Sequence, residues 1–354
     1  MTDTTEICTA EVITDIAPAA TATNGEAETA EEREYYLARN VSDAYRDAVH
    51  GLLKSSTSAN TRRAYQSHMK AFRAFATSMN VPALPASPET VAAYVAHLCD
   101  AGKASSTINQ AVAAIAALHR WADLDDPTRS ALVRSATSGA LRKVGVAPHK
   151  KAAATVDIVK ELVSVCDRST LQGKRDAAIL LLGFCGAFRR SELVALDVED
   201  FQETLSAGRA AYLVTVRHSK TDQESAGMVK GIFATRTKEL DPVAAVKDYV
   251  KAAGITSGAL FRRIRRGDHI QPGRITDKTV ALVIKAAADR ANISADLSGH
   301  SLRSGFITSA LESGASERSI MNQSGHKSVT VMRSYQQRRD ALADNAASGL
   351  AAAM

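Results

Sequence analysis

Signals for the start of a helix recur along most of this chain, and they constrain its fold more than any other feature. Ser87 followed by Pro88 at the first helical position predicts one helix, and Asp241 followed by Pro242 predicts another. Asn60 is predicted to cap a helix whose apolar face repeats every three or four residues, at Tyr65, Met69, Phe72 and Ala76. Further helix caps are predicted at Ser105 or Ser106 and at Asp126. The pattern is typical of a mainly α-helical protein.

One stretch in the second half breaks the helical pattern. Residues 210–216 and 228–235 are apolar and rich in β-branched side chains, and they flank the polar segment 217–227. Two such runs around a polar turn predict a β-hairpin. The expected fold class is therefore mainly α, with a helical N-terminal domain and a mostly helical second domain that contains a small β-hairpin or sheet.

A chain of 354 residues is long enough for two domains with separate cores. Residues 1–41 are predicted to be a disordered tail, because residues 1–40 hold nine acidic and only two basic residues and show little apolar periodicity. A helical domain follows at 42–143. We predict a linker at 144–154, which contains a Pro-His-Lys-Lys run, a second domain at 155–337 and a C-terminal segment at 338–354.

The charge of the chain narrows the class of partner. The net charge is +6, and since the N-terminal tail is acidic, the remainder is more basic still. This excess fits either a polyanionic partner such as nucleic acid or a basic solvated surface. No stretch approaches the roughly 18 apolar residues of a membrane span, and the N-terminus lacks a secretory signal. We therefore expect a cytoplasmic protein without a membrane partner.

The cysteine spacing gives no sign of a disulfide framework or a zinc cluster. Cys8, Cys99, Cys166 and Cys185 are far apart, and we expect them to be reduced and mostly buried. No phosphate-binding Gly-x-x-x-x-Gly-Lys loop occurs. We therefore expect neither a metal nor another cofactor.

Three short segments pair residues that are suited to acid–base or phosphate chemistry. In the first two pairs the partners stand three residues apart, a spacing that places them on one face of a helix. In the third, a tyrosine follows a histidine by nine residues. Taken singly, an Arg and a Glu at this spacing are more often a surface ion pair, and the His–Arg pair is a weak signal. A tyrosine after an apolar pair of residues is also typical of a core side chain. The three pairs are Arg189 with Glu192, His300 with Arg303, and His326 with Tyr335.

Together, in this order and separation, the three segments resemble the catalytic domain of the tyrosine recombinases of the phage integrase superfamily. The predicted hairpin turn also places Lys220 where that family keeps its catalytic lysine. The resemblance covers residues 42–345, and the first domain, with its Leu-His-Arg stretch at 118–120, looks like the Cre branch. One departure is Arg190, which stands where the family often has an aliphatic residue; the spacing to Glu192 favours Arg189 as the motif arginine.

The resemblance implies a role for each of these residues in cutting and rejoining DNA. Tyr335 would attack a phosphodiester and form a 3′-phosphotyrosine. A phenol with a free pKa of about 10 needs surrounding positive charge and a base, for which His300 is suited. Lys220 would protonate the departing 5′-oxygen, with Lys230 on the following strand as the alternative acid. The remaining residues would stabilise the negative charge on the phosphate: Arg189, held by Glu192, together with Arg303 and His326.

Candidate DNA-binding residues lie in both predicted domains. The basic side of the first helix, together with residues near the start of a later helix, would enter a groove of the DNA. The resemblance implies that Arg63 and Gln110 approach base edges. A dense basic run in the second domain would bind phosphates, and Lys278 is a further groove candidate. All of these also fit a solvated surface. The other candidates are Arg62, Lys70, Arg73 and Asn109 in the first domain and Arg262, Arg263, Arg265 and Arg266 in the second.

The resemblance further implies a C-shaped clamp on double-stranded DNA with inverted-repeat half-sites. Four copies would join two duplexes and exchange strands through a Holliday junction. An apolar stripe in the C-terminal segment would dock on the next copy or fold back on its own domain; it comprises Leu342, Ala343, Ala346, Leu350 and Ala351. The alternatives are a type IB topoisomerase or hairpin telomere resolvase, which the first domain disfavours, and a non-catalytic DNA-bending module, which an intact Tyr335 disfavours. The sequence does not indicate whether an accessory protein sets direction.

Overall fold

A computed structural model describes residues 57–122, 124–145, 151–217 and 227–326, together with Tyr45 and Ser328. The chain divides into two compact units, residues 1–148 and 149–354. Among the described residues no helix is both long enough and apolar enough to cross a membrane.

Unit 1 is built from α-helices around one core. They are α1 (Ala59–Ser78), α2 (Pro88–Asp100), α3 (Ser105–Trp121) and α4 (Ala131–Val144), with a short 3-10 helix at Pro127–Arg129. Buried side chains from the helices meet in that core, among them Phe72, Tyr94, Ile108, Leu118 and Val133.

His119 is a structural residue in unit 1. It is fully buried, its Nε2 accepts the Ala86 N–H at 2.9 Å, and its Nδ1 lies 2.8 Å from the Ile115 carbonyl. Because a carbonyl can only accept, Nδ1 carries the proton and donates to it. Burial lowers the pKa of His119, so the ring stays neutral and joins α3 to the segment before α2.

The helix starts of unit 1 confirm some predicted caps and correct others. Ser87 with Pro88 begins α2, as predicted. α1 is capped by Ser58, whose Oγ accepts the Thr61 N–H, rather than by Asn60, whose side chain instead accepts from Arg63 at 2.5 Å. The residue before α3 is Ala104, which makes no side-chain cap, so the prediction of Ser105 or Ser106 was wrong.

Unit 2 is mostly helical, as predicted, and carries two small antiparallel sheets. The first sheet has the order β1-β2-β3 and contains the predicted hairpin; the second is the pair β4-β5. The strands are β1 (Phe201–Ser206), β2 (Arg209–Val216), β3 (Met228–Phe233), β4 (Arg262–Arg265) and β5 (His269–Arg274). The helices are α5 (Val156–Ser164), α6 (Leu171–Cys185), α7 (Arg190–Ala195), α8 (Pro242–Ala253), α9 (Asp277–Arg290), α10 (Ser301–Glu312) and α11 (Glu317–Ser324).

Helix α6 lies at the centre of unit 2. Almost all of its residues from Arg175 to Phe184 are buried, and helices α5, α8 and α10 pack around it. The segment before α5 also packs closely: the Ala154 N–H donates to the Ser301 carbonyl at 2.9 Å, and a Cβ on Gly305 would lie 1.7 Å from the Ala154 oxygen. This close contact fixes the first turns of α10, which carry two of the predicted site residues.

Candidate active site

Arg189 immediately precedes α7, and Glu192 lies in the first turn of that helix. The Glu192 carboxylate accepts the Arg189 backbone N–H at 2.9 Å and its Nη1 at 2.6 Å. The predicted contact between the two side chains is present, but Arg189 is the N-cap residue rather than a residue within the helix, and Glu192 reaches back to it as the acidic partner of a capping box does. Glu192 is buried, so this pairing holds the guanidinium in one pose.

The turn before Arg189 joins the first arginine to the second. Ala187 has φ +46°, a left-handed conformation that residues with a Cβ rarely adopt. Its carbonyl accepts a hydrogen bond from Nη1 of Arg303 at 2.8 Å. The turn thus connects the Arg303 guanidinium to the segment that carries Arg189.

His300 and Arg303 also stand at the start of a helix. His300 is the N-cap residue of α10, and Arg303 lies in its first turn. Arg303 is only 1% exposed, and its Nη2 lies 3.2 Å from Nε2 of His326. Burial of a guanidinium is costly unless it is paired, so these contacts are the reason that the side chain can stay inside.

His326 follows α11 and completes the cluster. Gly325 ends α11 in the left-handed conformation, and its carbonyl lies 3.5 Å from Nη2 of Arg189. Nδ1 of His326 lies 2.9 Å from the hydroxyl of Ser324. Four predicted residues, from three separate segments, are thereby brought together: Arg189, Glu192, Arg303 and His326.

Burial, and then the nearby arginines, keep both histidines of the cluster neutral at pH 7. Burial, followed by the charges of Arg303 and Arg189, lowers the pKa of His326 to about 4. His300 is an exposed residue, yet protein atoms displace water from around its ring, and this desolvation together with the same arginines lowers the pKa of His300. A neutral His300 can accept a proton, as the predicted base must.

Lys230, which the sequence indicated only as an alternative to Lys220, is a member of the cluster. It lies on β3, is 1% exposed, and directs its Nζ to the Gly186 carbonyl at 2.7 Å. Burial, and then the nearby arginines, lower the pKa of Lys230 to about 7 against the opposing effect of Glu192. The available signal was strand alternation, because Lys230 shares a face of β3 with the buried Ile232.

The predicted DNA-binding residues differ in exposure. We expected the four basic candidates of α1 to lie on the side opposite its apolar stripe, but two of them, Arg62 and Arg73, are half-buried. Arg262 is also half-buried, and its guanidinium bonds to the carbonyls of Ser257 and Ala259 within the unit. The exposed candidates are Arg63, Lys70, Asn109 and Gln110 in unit 1 and Arg263, Arg265, Arg266 and Lys278 in unit 2.

Several predictions fall outside the described residues. They include Tyr335, Lys220 and the apolar stripe of residues 338–354. Arg217, at the end of β2, is described, and it pairs with Asp197 and, at 2.9 Å, with Asp200. Within the described residues no group of three or more acidic, histidine or cysteine side chains is placed to hold a metal ion.

The chain resembles known proteins over most of its length. The profile of the phage integrase family matches residues 153–341, and that of the phage integrase N-terminal SAM-like domain matches residues 50–124. The integrase/recombinase xerD homolog of Selenomonas ruminantium is 34% identical over 298 residues, which cover 83% of this chain and 86% of that protein. The recombinase cre of Escherichia phage P1 is 26% identical over 318 residues, covering 84% and 88% of the two chains.

Solved structures show the same fold. A lambda integrase tetramer bound to a Holliday junction matches with a TM-score of 0.57 at 18% identity, over 82% of this chain and 76% of that one. A lambda integrase dimer (residues 75–356) bound to a COC′ core site matches with a TM-score of 0.56 over 83% and 94% of the two chains. With a family match over more than half its length and a relative at 34% identity, the chain belongs to the phage integrase family and is a tyrosine recombinase.

Proposed function

We propose that this recombinase cleaves and rejoins DNA at specific sites through a covalent link between Tyr335 and a 3′-phosphate, followed by a Holliday junction. The observation that carries the proposal is the pair of anchored guanidinium groups: Arg189 is held by Glu192, and Arg303 by the Ala187 carbonyl of the turn that precedes Arg189. Two cations held in place by Glu192 and by a backbone carbonyl suit a phosphate better than mobile water does. They need no reorganisation as charge develops on the oxygens.

The bond changes balance without a cofactor. The Tyr335 oxygen forms a bond to phosphorus, and the bond from phosphorus to the 5′-oxygen breaks. His300 takes the phenolic proton, and Lys220 donates a proton to the departing oxygen, which is otherwise a poor leaving group. The energy of the phosphodiester is kept in the phosphotyrosine, so a 5′-hydroxyl of another strand can reverse the attack.

His326 is proposed to donate a hydrogen bond to the same phosphate. Nη2 of Arg303 lies 3.2 Å from Nε2 and 3.4 Å from Nδ1 of His326, and Nδ1 lies 2.9 Å from the Ser324 hydroxyl. Arg303 has only donors, so we assign Nε2, at the shorter distance, as the acceptor and Nδ1 as the donor to Ser324. A phosphate that binds to Arg303 takes over this contact. Nε2 can then donate to the phosphate only if the ring changes tautomer, so that Nε2 carries the proton. Nδ1 becomes an acceptor, and the Ser324 hydroxyl rotates to donate its proton to Nδ1.

Tyr335 is favoured as the nucleophile over the tyrosines that the structure describes in unit 2. Burial raises the pKa of Tyr212 to about 12, and it also raises the pKa of Tyr249, whose hydroxyl accepts the Arg262 N–H. Both phenols are thus harder to ionise than a free tyrosine. Tyr335 follows His326 by nine residues, and the cluster at His326 supplies the positive charge that lowers the cost of a phenolate.

The DNA partner and the assembly are part of the same proposal. A relative is named a recombinase, and the lambda integrase tetramer of similar fold is bound to a Holliday junction. For this chain we propose binding to inverted-repeat half-sites through both units, with four copies on two duplexes. The exposed arginines of the β4-β5 hairpin and Lys278 would contact phosphates, and Arg63 and Gln110 base edges.

The polarity of the covalent link tests the proposal. Inverted repeats beside the gene provide candidate sites, and a nick close to the scissile bond lets the short 5′-hydroxyl strand diffuse away and traps the adduct. The full-length protein should remain attached to the strand that ends in a 3′-phosphate. A link to the 5′ side contradicts the proposal, and relaxation of supercoiled DNA without exchange between two sites indicates a topoisomerase instead.

Removal of residues 338–354 tests the proposed docking of the C-terminal segment on a neighbouring copy. Binding to a single site should be unchanged, because α1 and α3 are intact. Synapsis of two sites should fall roughly 5- to 150-fold, the range of typical coupling between sites. Mobility shift and analytical ultracentrifugation on DNA with one or two half-sites measure both. Wild-type synapsis by the truncated chain indicates that the segment packs on its own unit.

A further inference from the structure

The side chain of Lys230 is enclosed between β3 and the turn that precedes Arg189. Its Nζ lies 2.7 Å from the Gly186 carbonyl and 3.4 Å from the Ala187 carbonyl. It also lies 4.6 Å from the centre of the Phe188 ring, within the range of a cation–π contact. The ammonium therefore contacts each residue of the Gly186–Phe188 turn.

Through these contacts Lys230 is connected to both arginines of the site. The Ala187 carbonyl that it approaches is the one that accepts Nη1 of Arg303 at 2.8 Å. Its Nζ also lies 3.9 Å from Oε2 of Glu192, the carboxylate that binds the Arg189 backbone and guanidinium. One buried cation thus touches the anchor of each guanidinium group.

Stability does not account for a lysine at this position. Taking an ammonium out of water costs several kcal/mol even after relaxation, and an apolar side chain of similar size is often as good or better for stability. The position faces the core, beside Ile232 on the same face of β3. A methionine would fill it without the cost of burying a charge.

Because its side chain is enclosed, Lys230 is not placed to act as the proton donor. A general acid must come within about 2.6–3.2 Å of the leaving oxygen or reach it through a water. The Lys230 side chain is 0% exposed, and its Nζ points into the turn. A DNA strand cannot meet it in this arrangement.

We infer that Lys230 is a positioning residue, which holds the Gly186–Phe188 turn and Glu192 so that Arg189 and Arg303 keep the geometry required by the phosphate. The inference rests on the proposed function. It assigns Lys230 an effect on the rate of cleavage that is exerted through the arginines and not through proton transfer.

The first test is the cleavage rate of Lys230→Met at saturating protein. The rate should fall about tenfold to a hundredfold, because misplaced donors lose transition-state stabilisation, while affinity for the DNA site stays within about threefold. The matched control is Val229→Met, one residue away on the exposed face of β3, which should cleave like the wild type. Thermal unfolding of both variants establishes that the folded fractions are equal. A wild-type rate in Lys230→Met overturns the inference.

A substrate with a 5′-bridging sulfur separates positioning from proton donation. Sulfur leaves without a proton, so it should restore cleavage by Lys220→Ala, the variant that lacks the proposed acid. It should not restore Lys230→Met, whose defect concerns the charge on the phosphate. Rescue of Lys230→Met by the sulfur substrate would make Lys230 the acid and overturn the inference.

A double-mutant cycle with Glu192→Gln provides a readout that a merely structural lysine would not change. If Lys230 acts through Glu192 and the turn, the combined loss in rate should be well below the product of the two single losses. Losses that multiply would contradict the inference. The wild-type protein separates this inference from the proposed function. If the wild type forms no adduct, the recombinase mechanism itself fails. If the wild type forms the adduct and Lys230→Met cleaves at the same rate, only the positioning role is rejected.

Discussion

Replacing Tyr335 with phenylalanine should abolish the covalent adduct and leave binding to the DNA site unchanged. The substitution removes the nucleophilic oxygen and nothing else, so no bond to phosphorus can form, while the groups proposed to hold the phosphate remain. The loss should be complete within the detection limit of a denaturing gel on the nicked substrate. A mobility shift on the intact site measures the binding.

The control for this substitution is Tyr212→Phe. Tyr212 is buried on β2, and burial raises the pKa of its hydroxyl to about 12, so its removal should leave the adduct at the wild-type level. An adduct in Tyr335→Phe would show that another nucleophile attacks the phosphate. In that case peptide mapping of the adduct would identify the residue that attacks, and that residue would replace Tyr335 as the nucleophile.

The sequence predicted those elements whose signal is local. Ser87 and Asp241 are each followed by proline, and both begin helices in the structure, because cap and first turn depend on neighbouring residues only. The strands β1, β4 and β5 were missed. β1 exposes most of its side chains, and β4 has the sequence Arg-Arg-Ile-Arg, so neither presents an apolar run.

The sequence predicted most of the residues of the candidate site, but it did not predict how they are arranged. A spacing of three residues fits two residues on one helical face and equally an N-cap residue with its partner in the first turn, and both motif pairs adopt the second arrangement. Lys230 meets carbonyls more than 40 positions away in the chain. Alternation along β3 indicates that Lys230 faces the core, but only the packing of β3 against the turn creates its contacts with those carbonyls.

Replacing Arg303 with methionine should slow cleavage about a thousandfold, the upper range for loss of one preorganised donor to a transition-state oxygen. Binding should change little, because affinity for DNA is distributed over many phosphate contacts. Arg303→Lys should remain strongly impaired, since an ammonium keeps the charge but lacks the two-pronged geometry that contacts Ala187 and His326 together. Arg209→Met, at the exposed start of β2, is the control and should cleave normally.

Arg303→Met also has a consequence that needs no DNA. In the wild type, burial and then the charge of Arg303 lower the pKa of His326 to about 4, against an ordinary value of 6.5. Without that charge the pKa should rise, although burial and Arg189 still keep it below 6.5. Proton NMR of the His326 ring over pH 3–8 measures the shift, with Arg209→Met as the reference. A slow enzyme with an unshifted His326 would mean that Arg303 acts away from this histidine, and the two could not hold one phosphate together.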